Sequence, residues 1–333
     1  MPLVSVILNS YNQARYLAQA VESVLAQSLD DFELIVIDNG SADQSKAVLN
    51  GYACDPRIRL QLCSDNVAIT RRFNQGVSLA RGQFVSFLYS DDYYLPTKLE
   101  RQVQAFASLS DDFGVVYGPT HGLNDATGET WVNGSIGASG QVLRRLFSDY
   151  QKGQIDMISP LVRKSCLERH PFYEDVFAEG EGVFFRIALS HKFHFLNEPL
   201  AVCRDHVGNA GKALKANARM TMTTLDRLER HPEFPKDHLE DLRAYRALLW
   251  RSYGWQSVRV GGDVAWARQC FAEAVRVRRR EVFQPKLIAG VGLSLLPGRL
   301  RHRLNQYGNR LRGVRNNSVY VAEFGGSYGR SHA

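Results

Sequence analysis

Apolar and polar positions in the first hundred residues alternate between two periods. Residues 4–8, Val-Ser-Val-Ile-Leu, form an apolar run of buried-strand length. After Asn12, the residues Tyr16, Leu17, Ala20, Val21, Val24 and Leu25 recur at helical spacing, which predicts an amphipathic helix capped by Asn12. Residues 32–37 predict a second strand, closed by the turn sequence Asp38-Asn39-Gly40-Ser41, with a helix from about Asp43. Residues 58–62 predict a third strand, 69–80 a helix stopped by Gly82, and 84–88 a fourth strand. Strands alternating with helices imply an α/β fold with a mostly parallel sheet covered on both faces. Such sheets bind ligands beyond the carboxyl ends of their strands. The polar groups at residues 9–12, 38–41 and 90–92 should therefore share one rim.

Beyond residue 95 the pattern changes. Pro96 suits the first turn of a helix reaching about Leu109, and residues 113–117 and 155–162 read as strands. Residues 124–128 read as a turn between short strands. Residues 182–191 read as a helix with Phe184, Phe185, Ala188 and Leu189 on its apolar face. From residue 212 helical stretches dominate, at 213–230, 238–258 and 263–280. The expected organisation is an α/β domain over 1–211 and a basic helical domain over 212–333.

Composition narrows the function classes. With 44% hydrophobic and 23% charged residues, the 333-residue chain reads as globular. Its five cysteines are odd in number and scattered, without a CxxC pair, which argues against a disulfide framework or a zinc site. No stretch approaches the roughly 20 apolar residues of a membrane span, and the start lacks the pattern of a secretory signal. A cytoplasmic protein is expected. The net charge of +7 is concentrated late in the chain, where Glu323 is the only acidic residue after Glu281. Aromatic residues are not interleaved with these cations, so no nucleic-acid partner is expected. The apolar segment 287–296, flanked by Lys286, Arg299, Arg301 and Arg303, has two readings. One is a helix docked on its own domain. The other is peripheral contact with anionic lipid at the inner face of a membrane.

Asp91 and Asp92 directly follow a predicted buried strand. Adjacent carboxylates there are costly unless solvated or neutralised by a cation. A solvated turn and a Mn2+ or Mg2+ site are both consistent with the pair, since such metals take hard oxygen ligands and share them with substrate phosphates.

Four segments, in order, resemble family 2 glycosyltransferases. They are Val4 through Asn12, Ser23-Val24-Leu25-Ala26-Gln27-Ser28 with the following Phe32 to Asp43, Leu88 through Leu99 around Asp91-Asp92, and Pro199-Leu200-Ala201-Val202-Cys203-Arg204-Asp205-His206. The resemblance covers roughly residues 1–211. It implies a GT-A fold, a Rossmann-like mixed sheet. It also implies sugar transfer, with inversion, from a nucleoside-diphosphate sugar to a saccharide or lipid-linked saccharide acceptor in surface polysaccharide or glycolipid assembly.

By that resemblance Asp38 hydrogen-bonds the nucleotide base, Ser10, Tyr11 and Asn12 form the opposite wall, and Asn66 lies on a neighbouring loop. The family's arginine before Asn74 is replaced by Phe73, which leaves Arg71 or Arg72 to act in its place. Asp91 serves nucleotide and metal, and Asp92 the metal. The family often has another Asp where Tyr89 stands. Arg204 and His206 face the leaving diphosphate, the metal or the acceptor. The family's catalytic base falls on Gly180, so the flanking Glu179 or Glu181 is expected to accept the acceptor's proton. Two other functions compete: a non-catalytic nucleotide-sugar or carbohydrate-binding protein, and a sugar nucleotidyltransferase. The segment Asn9-Ser10-Tyr11-Asn12-Gln13 lacks the Gly-rich basic loop that the latter requires.

Overall fold

The computed structural model describes residues 1–176, 179–180, 182–209, 213–261 and 263–311. The chain divides into two compact units, Met1–His206 and Val207–Ala333. The boundary expected at 211 falls outside the described residues.

The first unit contains strands β1 (Val4–Ser10), β2 (Phe32–Asp38), β3 (Ile58–Leu62), β4 (Phe84–Tyr89), β5 (Tyr93–Tyr94), β6 (Phe113–Tyr117), β7 (His121–Asn124), β8 (Thr130–Val132), β9 (Leu161–Arg163), β10 (Lys192–Phe195) and β11 (Ala201–Asp205). Its helices are α1 (Ala14–Leu25), α2 (Ser45–Asn50), α3 (Ile69–Leu79), α4 (Lys98–Ala107), α5 (Leu143–Ser148), α6 (Lys164–Arg169) and α7 (Gly182–Ile187). A seven-stranded sheet runs β10-β6-β9-β4-β1-β2-β3 and a four-stranded sheet runs β5-β11-β7-β8. In the large sheet β1 is parallel to β2 and β4, β2 to β3, and β10 to β6, while β9 is antiparallel to both neighbours. The sheet is therefore mixed, with the parallel strands the first four runs predicted.

Every residue of β1 and β2 is buried, as expected of strands covered on both faces. On one face Val4, Val6 and Leu8 meet Leu34 and Val36, beneath Leu17, Val21 and Val24 of α1 and Leu99 and Phe106 of α4. Burying each such side chain stabilises the fold by roughly 1.5–3 kcal/mol. On the other face Ile7 packs against α3 at Gly76, where a Cβ would lie 2.5 Å from the Ile7 Cγ2. That face also buries Glu33. Burial alone would raise its carboxyl, but the Arg81 amide and guanidinium, the Ser5 hydroxyl and Arg59 bring it below the usual carboxylate range.

Several expected features differ. Asn12 does not cap α1. It adopts a left-handed φ of 52°, and its Oδ1 accepts from the Ala42 amide at 2.8 Å. The Ala14 amide is satisfied instead by Asp43 Oδ2 at 3.0 Å, a residue of the loop after β2. Pro96 precedes α4 rather than opening it, because its carbonyl accepts from the Ser28 amide at 2.9 Å. Of residues 155–162 only the end joins a strand, β9. Lys98, at the start of α4, is fully buried without a carboxylate. Its Nζ donates to Ser86 Oγ and Gln102 Oε1, each at 2.8 Å, and burial pushes the amine well below its ordinary pKa.

The second unit contains helices α8 (Leu214–Glu229), α9 (Leu239–Gln256), α10 (Val264–Val277), α11 (Pro285–Leu295) and α12 (Gly298–Leu311). Val258, Ala267, Phe271, Ala274 and Leu287 form its small core, and Arg251 forms a buried ion pair with Glu281. No helix among the described residues is long and apolar enough to cross a membrane.

Candidate active site

The carboxyl ends of β1 and β2 lie side by side, with Ser10 opposite Asp38 in the ladder. Among the described residues, three polar atoms here are buried without a hydrogen-bond partner: Asn9 Nδ2, Ser10 Oγ and Asp38 Oδ1. An unmatched buried polar atom costs about 1–3 kcal/mol. Three at one strand end form a set waiting for complementary donors and acceptors. The two Asp38 oxygens divide the roles weighed for it. Oδ2 accepts from the Ser41 amide at 3.0 Å and closes the turn, and Oδ1 is left over.

The surrounding loops are laced together. The Asn12 amide donates to Ser41 Oγ at 2.9 Å. Asn39 Nδ2 donates to Asn66 Oδ1 and to the Val67 carbonyl, each at 2.8 Å. Gly40, at φ +79°, permits that approach, since a Cβ there would lie 2.6 Å from the Asp65 carbonyl carbon. Tyr11 is half-buried beside Ser10.

Arg71 and Arg72 separate in the first turn of α3, where successive side chains point about 100° apart. Arg72 is buried and donates to Asn39 Oδ1 at 2.7 Å and to the Asp65 carbonyl at 2.9 Å. Arg71 instead pairs with Glu174 at 3.3 Å on the surface. The arginine knit into the loops beside Asp38 is therefore Arg72, not Arg71.

Asp91 and Asp92 occupy the turn between β4 and β5. Asp92 Oδ1 accepts the Arg204 amide at 2.8 Å, and Asp91 Oδ2 meets His206 Nε2 at 3.0 Å. Burial, then the charge of Asp91, pushes the Asp92 carboxyl well above its ordinary value, with Asp156 adding to the effect. A buried carboxylate whose charge is disfavoured, beside a second one, fits a hard divalent cation. Among the described residues no group of three or more protein ligands is assembled for a metal, so phosphate or water oxygens would complete such a shell.

Arg204 and His206 both come to this turn. The Arg204 guanidinium is a hub. It donates to the Asp91 carbonyl at 3.0 Å, to Asp125 Oδ1 at 3.0 Å and to Gln19 Oε1 at 2.6 Å, and lies 4.7 Å over the Tyr16 ring. Tyr16 donates to Asp125 Oδ2 at 2.8 Å, and its ring lies 5.2 Å from that of His206. The Tyr16 hydroxyl, ahead of the Arg204 guanidinium, holds the Asp125 carboxyl below the usual range. Asp156, bonded by Thr120 and by Cys203 Sγ at 3.7 Å, is pushed up by burial. Sequence reasoning missed Tyr16, Gln19, Asp125 and Asp156. By spacing Tyr16 belongs to the core face of its helix, and Asp125 lies within a predicted turn.

Glu179 does not present its carboxylate to the rim. It is buried in a two-pronged ion pair with Arg186 and accepts the Tyr173 amide at 2.8 Å. Arg186 also donates to the Pro171 carbonyl at 2.7 Å and stacks 4.0 Å over Tyr173. In this arrangement Glu179 anchors α7, and the proton-accepting role expected of it lacks a free oxygen. Glu181 lies outside the described residues. Glu179→Gln should therefore act on stability. Leaving Arg186 without its counter-charge costs about 2–3 kcal/mol, or roughly 5–10 °C in Tm. Unchanged melting with lost turnover would return Glu179 to the chemistry.

The model of glycosyl transferase family 2 matches residues 5–167. An uncharacterized glycosyltransferase of Nostoc sp. is 38% identical over 115 residues, covering 34% of this chain and 35% of that protein. The putative teichuronic acid biosynthesis glycosyltransferase TuaG of Bacillus subtilis is 38% identical over 113 residues, covering 34% of this chain and 45% of that protein. The chain thus matches less than half the length of either relative. Among solved structures, residues 1–349 of S. aureus TarS in complex with UDP-GlcNAc superpose with a TM-score of 0.64 at 15% identity, covering 95% of this chain and 93% of that one. The mannosyltransferase PcManGT from Pyrobaculum calidifontis, in complex with GDP-Man and Mn2+, gives 0.59 at 18% identity, covering 92% and 84%. Residues 5–167 are a family 2 glycosyltransferase domain, and the fold that carries them is GT-A.

Proposed function

We propose that the chain transfers a sugar from a nucleoside-diphosphate donor to an acceptor hydroxyl, with a divalent cation at Asp91 and Asp92. The observation that carries this reading is the meeting, at adjacent strand ends, of unmatched buried atoms on Asn9, Ser10 and Asp38 with a carboxylate pair in which burial makes the charge of Asp92 costly. The first set suits a nucleotide base and ribose, and Asp91 and Asp92 suit the diphosphate's cation. Similarity to structures holding UDP-GlcNAc, and GDP-Man with Mn2+, supports the same reading.

In the proposed mechanism Asp38 Oδ1 accepts an N–H of the base, and Ser10 and Asn9 complete that contact. Mn2+ or Mg2+, when bound, supplies positive charge to the departing diphosphate. Arg204 and His206 hold the Asp91–Asp92 turn in place. Since Glu179 is engaged by Arg186, we assign the acceptor's proton to Glu181, with a single displacement and inversion at the anomeric carbon. The acceptor we propose is a saccharide or lipid-linked saccharide, in polysaccharide or glycolipid assembly, and similarity to a putative teichuronic acid biosynthesis glycosyltransferase supports the polysaccharide setting. The five cysteines are free thiols, which suits a cytoplasmic setting.

The test is a thermal-shift screen of UDP-, GDP-, dTDP- and CDP-sugars with and without Mn2+. A native-state ligand at a hundredfold its Kd adds about 2.7 kcal/mol. One donor class should raise Tm in the presence of metal only, and Asp38→Ala should remove most of that rise. Equal shifts for Asp38→Ala and wild type would defeat the assignment of the base site. Binding without turnover on any acceptor would favour a non-catalytic sugar-nucleotide binder.

A further inference from the structure

We propose that the outer face of α11 and α12 in the second unit is a docking surface for an anionic lipid bilayer, with the helices lying in its plane. Each helix shows which side it spends on its own unit. On α11 Leu287, Gly290 and Ser294 face inward. A Cβ at Gly290 would lie 2.3 Å from the Phe271 ring, and Ser294 receives two Arg268 donors, at 3.1 Å on its hydroxyl and 2.6 Å on its carbonyl. On α12 Asn305 is buried, with its Nδ2 donating to the Arg259 carbonyl at 2.9 Å.

The opposite sides are apolar and open. Ile288, Val291 and Leu295 recur along α11 at helical spacing, and Leu300, Leu304 and Tyr307 do the same along α12. Phe283, just ahead of α11, is 79% exposed and Leu295 70% exposed. Large apolar side chains presented at regular helical spacing mark an interaction surface.

Charge selects the occupant. Between Val282 and Leu311 the chain carries Lys286, Arg299, Arg301, Arg303 and Arg310 and no Asp or Glu. A membrane with acidic headgroups satisfies both halves of this pattern at once, acyl chains for the apolar stripe and phosphates for the cations. The apolar length excludes a span, so the contact is interfacial. A second copy of the chain would bring the same α12 arginines, Arg299, Arg301 and Arg303, to the contact and meet like charge. This inference is independent of the proposed transfer reaction and of its acceptor.

The experiment is co-sedimentation of the full chain with vesicles of pure phosphatidylcholine and of phosphatidylcholine containing phosphatidylglycerol. Wild type should sediment with the anionic vesicles and hardly at all with the neutral ones, and high salt should weaken that binding. Ile288→Asp with Leu295→Asp should reduce the bound fraction by about tenfold or more. Both positions are exposed, so the variant's melting temperature should match wild type and separate lost docking from lost folding. Ile288→Val with Leu295→Met should keep binding. Equal binding to both vesicle types, or none to either, would overturn the proposal. So would a wild-type dimer in solution that the Asp variant dissociates, or retention on RNA that the Asp variant leaves intact while vesicle binding is absent.

Discussion

Asp92→Asn should abolish transfer while making the ligand-free protein harder to unfold. The amide keeps the oxygen that accepts the Arg204 N–H at 2.8 Å and keeps the side chain's volume. It removes a charge that burial, Asp91 and Asp156 all disfavour. The direction of the pH effect follows. The folded pKa lies above the unfolded value of about 3.9, so between the two the folded state holds more protons than the unfolded one. Whatever Asp92 contributes to stability is complete below about pH 3.9 and is lost as pH rises through the folded value. Without metal, wild type should therefore melt below the variant at neutral pH, and the gap should close toward pH 4. Mn2+ with a nucleoside diphosphate should reverse the order, because only wild type can place both carboxylates of the pair on the cation. Loss of that charge stabilisation should lower turnover by about a hundredfold or more. Melting curves across pH, with and without ligand, alongside donor turnover, make the check. Full turnover by the variant, or by wild type in excess chelator, would remove the metal from the mechanism.

Arg204→Leu should be among the most damaging single changes in the first unit. One guanidinium satisfies the Asp91 carbonyl, Asp125 and Gln19, and its backbone amide holds Asp92. Without the side chain, Asp125 keeps Tyr16 and the exposed Arg15 but loses its buried cation. Losing this part-buried ion pair together with the donors to the Asp91 carbonyl and Gln19 costs about 2–3 kcal/mol, roughly 5–10 °C in Tm here. Turnover should fall as well, since the Asp91–Asp92 turn loses its tether. Lysine should not rescue it, because one ammonium on a flexible stem cannot reach three acceptors set around a planar fork. The double variant Arg204→Leu, Asp125→Leu should lose less stability than the two single losses added together. Strict additivity, or a lysine variant with wild-type melting and turnover, would show that the hub has no structural role.

The parts of this site legible in the sequence are those that obey a local rule. Apolar runs set the parallel strands β1 to β4, and the polar residues directly after them, Ser10, Asp38, Asp91 and Asp92, reach one rim. What escaped depends on tertiary topology. Asp156 lies ahead of β9, and β9 is antiparallel to its neighbours, so the chain entering this strand arrives where the others leave. A search confined to residues after strands passes over it. Asp125 follows β7, one of the short strands expected around that turn, and gains its role only when β11 brings Arg204 alongside. Tyr16 has the spacing of a core residue and is one, apart from a hydroxyl whose partner lies 109 residues away. Arg71 and Arg72 are indistinguishable by type, and only the phase of α3 separates them. Asn12 has the composition of a helix cap, but the neighbouring loop offers it an amide at 2.8 Å, and Asp43 supplies the helix.

The chain leaves the large sheet at Tyr89 and joins the small one at Tyr93, so Asp91 and Asp92 sit on the seam between them. A cation held there, as proposed, would act as a rivet through both sheets. β11 pairs with β5 on one side and β7 on the other, and its Arg204 amide touches Asp92 directly. Under the proposed reading, donor occupancy would therefore reach the strands of the small sheet within a few bonds. An acceptor surface built on those strands would feel whether the donor had arrived, with no separate signalling part.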